Sequence, residues 1–155
     1  MDGKPAKPAR NGDGIGRGLL TNLLGYHLRR AQVAVFQHFA ASVGAAEITP
    51  GQFGVLTVIN NNPGLSQTQL GNALGIDRST VVAVIDRLEA RGLVTRAVSP
   101  SDRRSHALRL SDEGARLLPR LEDLVRSHER HIARDLSADE KQRLIQLLDR
   151  IARRD

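Results

Sequence analysis

The 155-residue chain predicts a mainly helical fold with one small β-hairpin. Three observations carry that prediction. Apolar residues recur at three- and four-residue steps along most of the chain, the period of a helix that buries one face. The departure from that period is residues 93–110, where two strand-like runs, Leu93–Val98 and His106–Leu110, flank a turn rich in Ser, Pro and Asp. Helix-start signatures, in which a Ser or Thr precedes a Gln or Glu by three residues, stand at Thr49–Gln52, Ser66–Gln69 and Ser137–Glu140. The predicted order is four helices, a hairpin and two helices, with no internal repeat.

Residues 1–18 hold five glycines, two prolines and four basic side chains. Such a stretch cannot bury a face and reads as a flexible basic tail. A single domain spans 19–155. Its first helix follows Leu20, Leu24, Leu28, Ala31, Val35 and Phe39 from Leu19 to Val43 and stops at Gly44. Leu19, Leu23, Val33 and Phe36 lie off that stripe, and a helix apolar on more than one side needs more than one neighbour, so a subunit interface is expected there. The second helix opens at Thr49 with Pro50, where the missing N–H costs nothing, and ends near Asn60 before Pro63-Gly64. The third spans Ser66–Leu74 and turns at Gly75. The fourth, Asp77–Arg91, is capped by Asp77 and halted by Gly92. Ser111 opens the fifth, which carries Leu117, Leu118, Leu121, Leu124, Val125 and Ile132, and Pro119 inside it predicts a kink. The sixth places Leu144, Leu147, Leu148 and Ile151 on one side.

The bulk composition narrows the function classes. A formal charge of +6 at pH 7 favours polyanionic partners, of which nucleic acid is the commonest. The absence of cysteine excludes disulfides, thiolate metal sites and thiol sensing. No apolar run approaches the ~18 residues of a membrane span, and no signal-peptide stretch leads the chain, so a cytoplasmic protein without a membrane partner is expected. Four aromatic side chains are too few for a base-stacking single-strand binder. There is no nucleophile–base set, phosphate-cradling glycine motif or metal cluster, so the chain reads as no enzyme and needs no cofactor.

Residues 65–110 carry the sharpest signal. Leu70, Leu74, Ile76, Val81, Val84, Ile85 and Leu88 are spaced to bury the third helix against the fourth, and Gly71 and Ala73 are small enough for a close crossing. This leaves Arg78, Ser79 and Thr80 outward at the start of the fourth helix, where a recognition helix meets base edges in the major groove. The plainer alternative is that Ser79 and Thr80 support the helix start while Arg78 is solvated. Ser66, Gln67 and Thr68 open the third helix as candidate phosphate contacts. The hairpin adds Arg96, Arg103, Arg104 and Arg109, with Asp102 placed to orient one of the tip arginines. Arginine suits the negative potential of the minor groove. Residues 77–109 hold seven arginines and four acids. Together these features describe a winged helix-turn-helix, spanning about residues 48–110.

The run LSQTQLGNALGIDRSTVVAVIDRLEARGLVTRAVSPSDRRSHALRLSDEG resembles the MarR family of bacterial transcription regulators. The marks are the apolar skeleton of the two helices, the Arg-Gly-Leu-Val entry to the wing, the Asp-x-Arg-Ser tip and the Leu-Ser cap after it. The resemblance extends to the helix order after residue 18. It implies a homodimer joined through the first, fifth and sixth helices (19–43 and 111–153), bound to a pseudo-palindromic double-stranded DNA operator. The recognition helix would enter the major groove and Arg104 the minor groove. It further implies a repressor released by a small, often aromatic, effector. Val82 and Ala83 depart from the polar residues usual there, which concentrates base contacts on Arg78, Ser79 and Thr80, with thymine methyls left to Val82 or Ala83.

The same resemblance places an effector cleft among the first, second and fifth helices. Tyr26, His27, Arg29, Arg30, Phe39, Phe53 and Leu56 are its candidates, with His38 nearby. GYHLRRAQ is similar to the first helix of relatives that answer to hydroxycinnamoyl thioesters of coenzyme A, with Arg29 and Arg30 as phosphate contacts. The alternative is that the phenylalanines are core and His27 and Arg30 are solvated. His128-x-x-His131 puts two imidazoles on one face of the fifth helix, but without a clear third ligand they read as surface or interface groups, and no metal is expected. Two further readings stay open: an architectural DNA-binding protein without sequence preference, and a MarR-type regulator of another signal such as a metal.

Overall fold

A computed structural model describes residues 15–98 and 106–153. The helices are α1 (Leu24–Val43), α2 (Pro50–Asn61), α3 (Gln67–Leu74), α4 (Arg78–Ala90), α5 (Asp112–Ile132) and α6 (Ala138–Ala152); strands β1 (Val94–Val98) and β2 (His106–Leu110) stand between α4 and α5. This is the mainly helical architecture with one antiparallel hairpin that the sequence predicts. Among the described residues no helix is long and apolar enough to cross a membrane. Internal contacts divide the chain at residue 37, and the two units are described separately.

The first unit corrects the start of the first helix. A 3-10 turn, Gly18–Asn22, comes first, and Leu23 then takes an extended conformation before α1 begins at Leu24. The turn keeps the apolar spacing running across the break, which is why periodicity alone merges the two. Leu19, Leu20, Leu23, Leu24 and Phe36 are all exposed in the single chain.

The second unit holds the core. Phe39, Val43, Ile48, Val55, Leu56, Ile59, Leu70, Val81, Ile85, Leu88, Leu93, Val94, Leu108, Leu118 and Leu121 form one buried cluster. The helix starts follow local chemistry. Thr49, Ser66 and Ser137 each accept the N–H three residues on while the Gln or Glu there accepts the cap's own N–H. Asp77 and Ser111 cap α4 and α5. Gly71 meets the expectation of a close crossing: a Cβ there would lie 3.0 Å from the Ile76 carbonyl and 3.2 Å from Val81. α5 continues through Pro119, whose ring removes one N–H without ending the helix.

Helices α3 and α4 end in the same way. Gly75 (φ 64) and Gly92 (φ 70) occupy the left-handed region that reverses the chain. The following residues bond back, Ile76 N–H to the Gly71 carbonyl at 3.0 Å and Leu93 N–H to the Leu88 carbonyl at 2.9 Å, which closes a Schellman motif in each case. The second of these aims the chain directly into β1. In the hairpin Val94 pairs with Leu110, Arg96 with Leu108 and Val98 with His106. The other edge of β2 is also satisfied: Gly64 donates to the Leu108 carbonyl at 2.8 Å and Leu108 donates to the Leu65 carbonyl at 2.9 Å. The wing base is therefore tied to the α2–α3 turn as well as to its own partner strand. Arg91 adds a clamp at the far end of α4, its two Nη groups donating to the carbonyls of Ala46 (2.8 Å) and Glu47 (2.7 Å).

Candidate nucleic-acid interface

The start of α4 is organised by one carboxylate. Asp77 accepts the Thr80 N–H at 3.0 Å, the Thr80 hydroxyl at 2.6 Å and the Ser79 hydroxyl. Hydrogen bonds from Ser79 and then Thr80 hold its carboxyl well below the usual carboxylate range. Ser79 and Thr80 thus support the helix start, and their protons are committed to Asp77. What they still offer outward is lone pairs, which suit the amino groups of adenine or cytosine better than a phosphate or a carbonyl. Arg78, just before them, is exposed, and its side chain bonds to no other described residue. Ala83 is exposed and Val82 half-buried, one turn further on.

At α3, Ser66 holds the cap, its oxygen accepting the Gln69 N–H at 3.2 Å while the Gln69 side chain accepts the Ser66 N–H at 2.8 Å. Thr68 is exposed and Gln67 half-buried. The first turn of α3 also has amide N–H groups without helical partners, as every helix start does.

Arg96 is a correction. The sequence places it among DNA-contacting arginines, but its guanidinium is 17% exposed and bridges two carboxylates of α4, Asp86 at 2.6 Å and Glu89 at 2.7 Å. Its Nε is buried without a partner. Arg96 alternates on β1 with exposed Thr95 and Ala97, so its inward face looks onto α4, and α4 supplies acids three residues apart on one face, residues 86 and 89. It braces the wing against the recognition helix. It also neutralises two acids that would repel DNA, leaving Arg78, Arg87 and Arg109 as the exposed arginines among the described residues of 65–110 whose guanidinium groups bond to no described residue. Asp102, Arg103 and Arg104 lie outside the described residues.

The effector candidates fall in both units. In the first, the Arg30 guanidinium lies 5.6 Å from the centroid of the Tyr26 ring, and His27 meets that ring edge-on. His27 Nε2 donates to the Thr21 carbonyl at 2.8 Å, and Arg29 reaches Gln32 at 3.4 Å. In the second, Leu56 is fully buried and belongs to the core, which corrects its place among ligand contacts. Phe39 is buried too, with its ring 6.5 Å from that of half-buried Phe53. The apolar stripe of α2 fits core and cleft equally well as a pattern, and only packing separates them.

Sequence reasoning missed the company His128 and His131 keep. His38, 90 residues earlier, joins them: its Nδ1 is 2.8 Å from Nδ1 of His128, and its ring stacks on His131 at 3.9 Å. Parallel rings do not aim their lone pairs at one point. No group of three metal-ligating side chains among the described residues is arranged to hold an ion.

The chain's resemblances agree with this geometry. A sequence profile of the MarR family matches residues 46–105. A protein of Thauera aromatica, named for transcriptional regulation of the hcr operon, is 43% identical over 139 residues, covering 89% of this chain and 84% of that one. The transcriptional repressor CouR, solved bound to a 23-mer DNA duplex, superposes with a TM-score of 0.84 at 45% identity over 90% of this chain and 99% of its own. CouR bound to p-coumaroyl-CoA gives a TM-score of 0.83 at 41% identity, covering 91% and 99%. The PcaV regulator of Streptomyces coelicolor with its natural ligand gives 0.83 at 34% identity, covering 89% and 97%.

Proposed function

The chain belongs to the MarR family of transcription regulators, and from that premise we propose that it is a homodimeric cytoplasmic repressor that leaves its operator when an aromatic acid, or the coenzyme A thioester of one, binds. The observation that carries this reading is the likeness over nine-tenths of the chain to one repressor solved both on DNA and with p-coumaroyl-CoA. The winged helix-turn-helix supplies one reading head, and one head covers half of a pseudo-palindromic site.

Two observations on α6 support pairing of heads through the set α1, α5 and α6. Leu144, Ile145, Leu147, Leu148 and Ile151 are all exposed in the single chain, and no residue of α6 is fully buried. A helix with an apolar side that its own chain leaves uncovered calls for a partner, here a second copy. Release then follows as a population shift: the ligand favours a dimer whose heads are wrongly spaced for DNA, and DNA and ligand weaken each other's binding by the same factor.

On this reading Arg78 reads a base and Arg104 occupies the minor groove. Arg78→Ala is expected to weaken operator binding by about 1–3 kcal/mol and to relax preference at one base pair, measured on a panel of single-substitution duplexes. An equal loss on every duplex would make Arg78 a phosphate contact instead. The test of the whole reading is a gel shift with the DNA upstream of the chain's own gene against random duplex. Binding at least ~10³-fold tighter than to random DNA is expected, as specific regulators show, and no preference would favour an architectural role. Competition with p-coumaric acid, its coenzyme A thioester and free coenzyme A identifies the effector class. Arg104→Ala should weaken the operator complex, and unchanged affinity would remove the wing tip from the interface.

A further inference from the structure

We propose that His38, His128 and His131 form a proton-operated latch between the C-terminal part of α1 and α5, closed while the rings share hydrogens and opened when each ring carries its own.

The hydrogen-bond network fixes where the protons sit in the closed state. Arg134 Nη1 lies 2.8 Å from His131 Nε2. Arginine only donates, so Nε2 of His131 must carry a lone pair, and His131 is the neutral Nδ1–H tautomer. Ser42 donates its hydroxyl to the His38 carbonyl at 2.8 Å, so toward His38 Nδ1, at 3.2 Å, its oxygen can only accept. His38 Nδ1 therefore bears a hydrogen. That hydrogen also faces His128 Nδ1 at 2.8 Å, which leaves a lone pair on His128. Two contacts of the cluster thus require unprotonated nitrogens on α5. Adding a proton to His128 sets N–H against N–H across 2.8 Å, and adding one to His131 sets it against the guanidinium.

At His128 the surroundings do little to offset the added charge, whereas the exposed ring of His131 meets water. His128 is 3% exposed, with the Phe39 ring edge-on at 5.4 Å and the His38 ring at 5.0 Å. From α1 only His38 is titratable at this contact, and Phe39 and Ser42 are neutral; α2 contributes Phe53, through Phe39. On α5, Glu129 favours a charged His128 but is held by Lys141 of α6 at 3.0 Å. Beyond α5, Asp135 favours a charged His131 and Arg134 opposes it. No carboxylate of a described residue hydrogen-bonds any of the three rings. Desolvation first, and then the His38 neighbour, push His128 below the ordinary imidazole range; His131 moves in the same direction, but its ring is exposed and water screens the effect. The sign follows from that direction. The folded chain binds fewer protons than the unfolded one, so the latch contributes fully above the ordinary range near pH ~6.5 and is lost as pH falls below it. Helices α1 and α5 belong to the set expected to join subunits, so on the repressor reading an open latch loosens the frame that spaces the heads.

The test uses the full chain at fixed concentration and stands whether or not the chain binds DNA. Ring-nitrogen NMR at pH 7.5 should show Nδ1–H on His38 and His131 and Nε2–H on His128. Between pH 7.5 and 5.5 the unfolding constant from urea titration should rise by up to about tenfold, the most that one ring held neutral in the folded chain, His128, contributes one pH unit below the ordinary imidazole range. His128→Gln keeps a neutral acceptor for His38 and should show less than half of that rise. His38→Gln, which keeps a donor for His128, serves the same comparison should the first variant fold poorly. Identical pH profiles for the wild type and the variants would overturn the latch, as would a charged His128 or His131 at pH 7.5. Micromolar zinc that raises the wild-type urea midpoint but not that of His128→Gln would also overturn it, by making the cluster a metal site.

Discussion

Gly114→Ala is expected to lower the stability of the chain by about 3 kcal/mol or more, the upper part of the range for overpacked sites. A Cβ on Gly114 would lie 2.1 Å from the Leu93 carbonyl oxygen and 3.1 Å from its carbon. That carbonyl cannot swing away cheaply. It accepts the Ser111 N–H at 3.0 Å, and Leu93 itself is fixed by its bond back to Leu88 at the end of α4. Ser111 adds a second tie, donating to the Gly92 carbonyl at 2.5 Å while accepting the Gly114 N–H at 3.0 Å. The first turn of α5 therefore sits directly on the exit of the recognition helix, and a methyl group forces the two apart. For a chain of this size the loss corresponds to a melting temperature lower by roughly 6–12 °C. Gly51→Ala is the control: its Cβ would meet nothing nearer than Thr49 at 4.0 Å, and alanine in a helix is expected to be neutral or stabilising by up to about 1 kcal/mol. A Gly114→Ala melting curve within 2 °C of the wild type would mean that the helix and the wing entry are not in contact.

This glycine also marks the limit of what the sequence reveals. Helix starts at Thr49, Ser66, Asp77, Ser111 and Ser137 are legible because a cap bonds within three residues of itself. The turns at Gly75 and Gly92 are legible because only a residue tolerant of positive φ reverses a helix so tightly. Gly114 obeys no such local rule, since its need comes from a carbonyl 21 positions earlier. The same holds for the site. Arg78, Ser79 and Thr80 are legible as the outward start of α4, but the chemistry of the two hydroxyls depends on Asp77 claiming their protons. Leu56 has the spacing of a cleft residue and the burial of a core residue. His38 has no pattern linking it to His128 and His131, and only the approach of the C-terminal end of α1 to α5 brings them together. The break at Leu23 escapes notice because a 3-10 turn and an α-helix place apolar residues on nearly the same face over five residues.

Arg96→Ala is expected to weaken operator binding by about ten- to a hundredfold, and the cause separates two readings of the same charge. As a DNA contact, Arg96 would neutralise a phosphate, and its loss would reduce the salt dependence of binding by about one ion. As the brace seen between β1 and α4, it acts through the position of the wing, and the salt dependence should stay as it is. The acids decide between the two. Asp86 and Glu89 are 56% and 41% exposed, so water can solvate them once Arg96 is gone, and the cost to folding should be near 1–2 kcal/mol rather than that of a stranded buried charge. Asp86→Asn combined with Glu89→Gln removes two negative charges beside the recognition helix. By charge alone that variant should bind DNA more tightly. If the acids hold Arg96 and Arg96 holds the wing, it should bind more weakly and resemble Arg96→Ala, with loss of minor-groove protection at the outer edges of the site. Tighter binding by the double variant, together with a shallower salt slope for Arg96→Ala, would return Arg96 to the DNA and leave the wing held by its strand pairing alone.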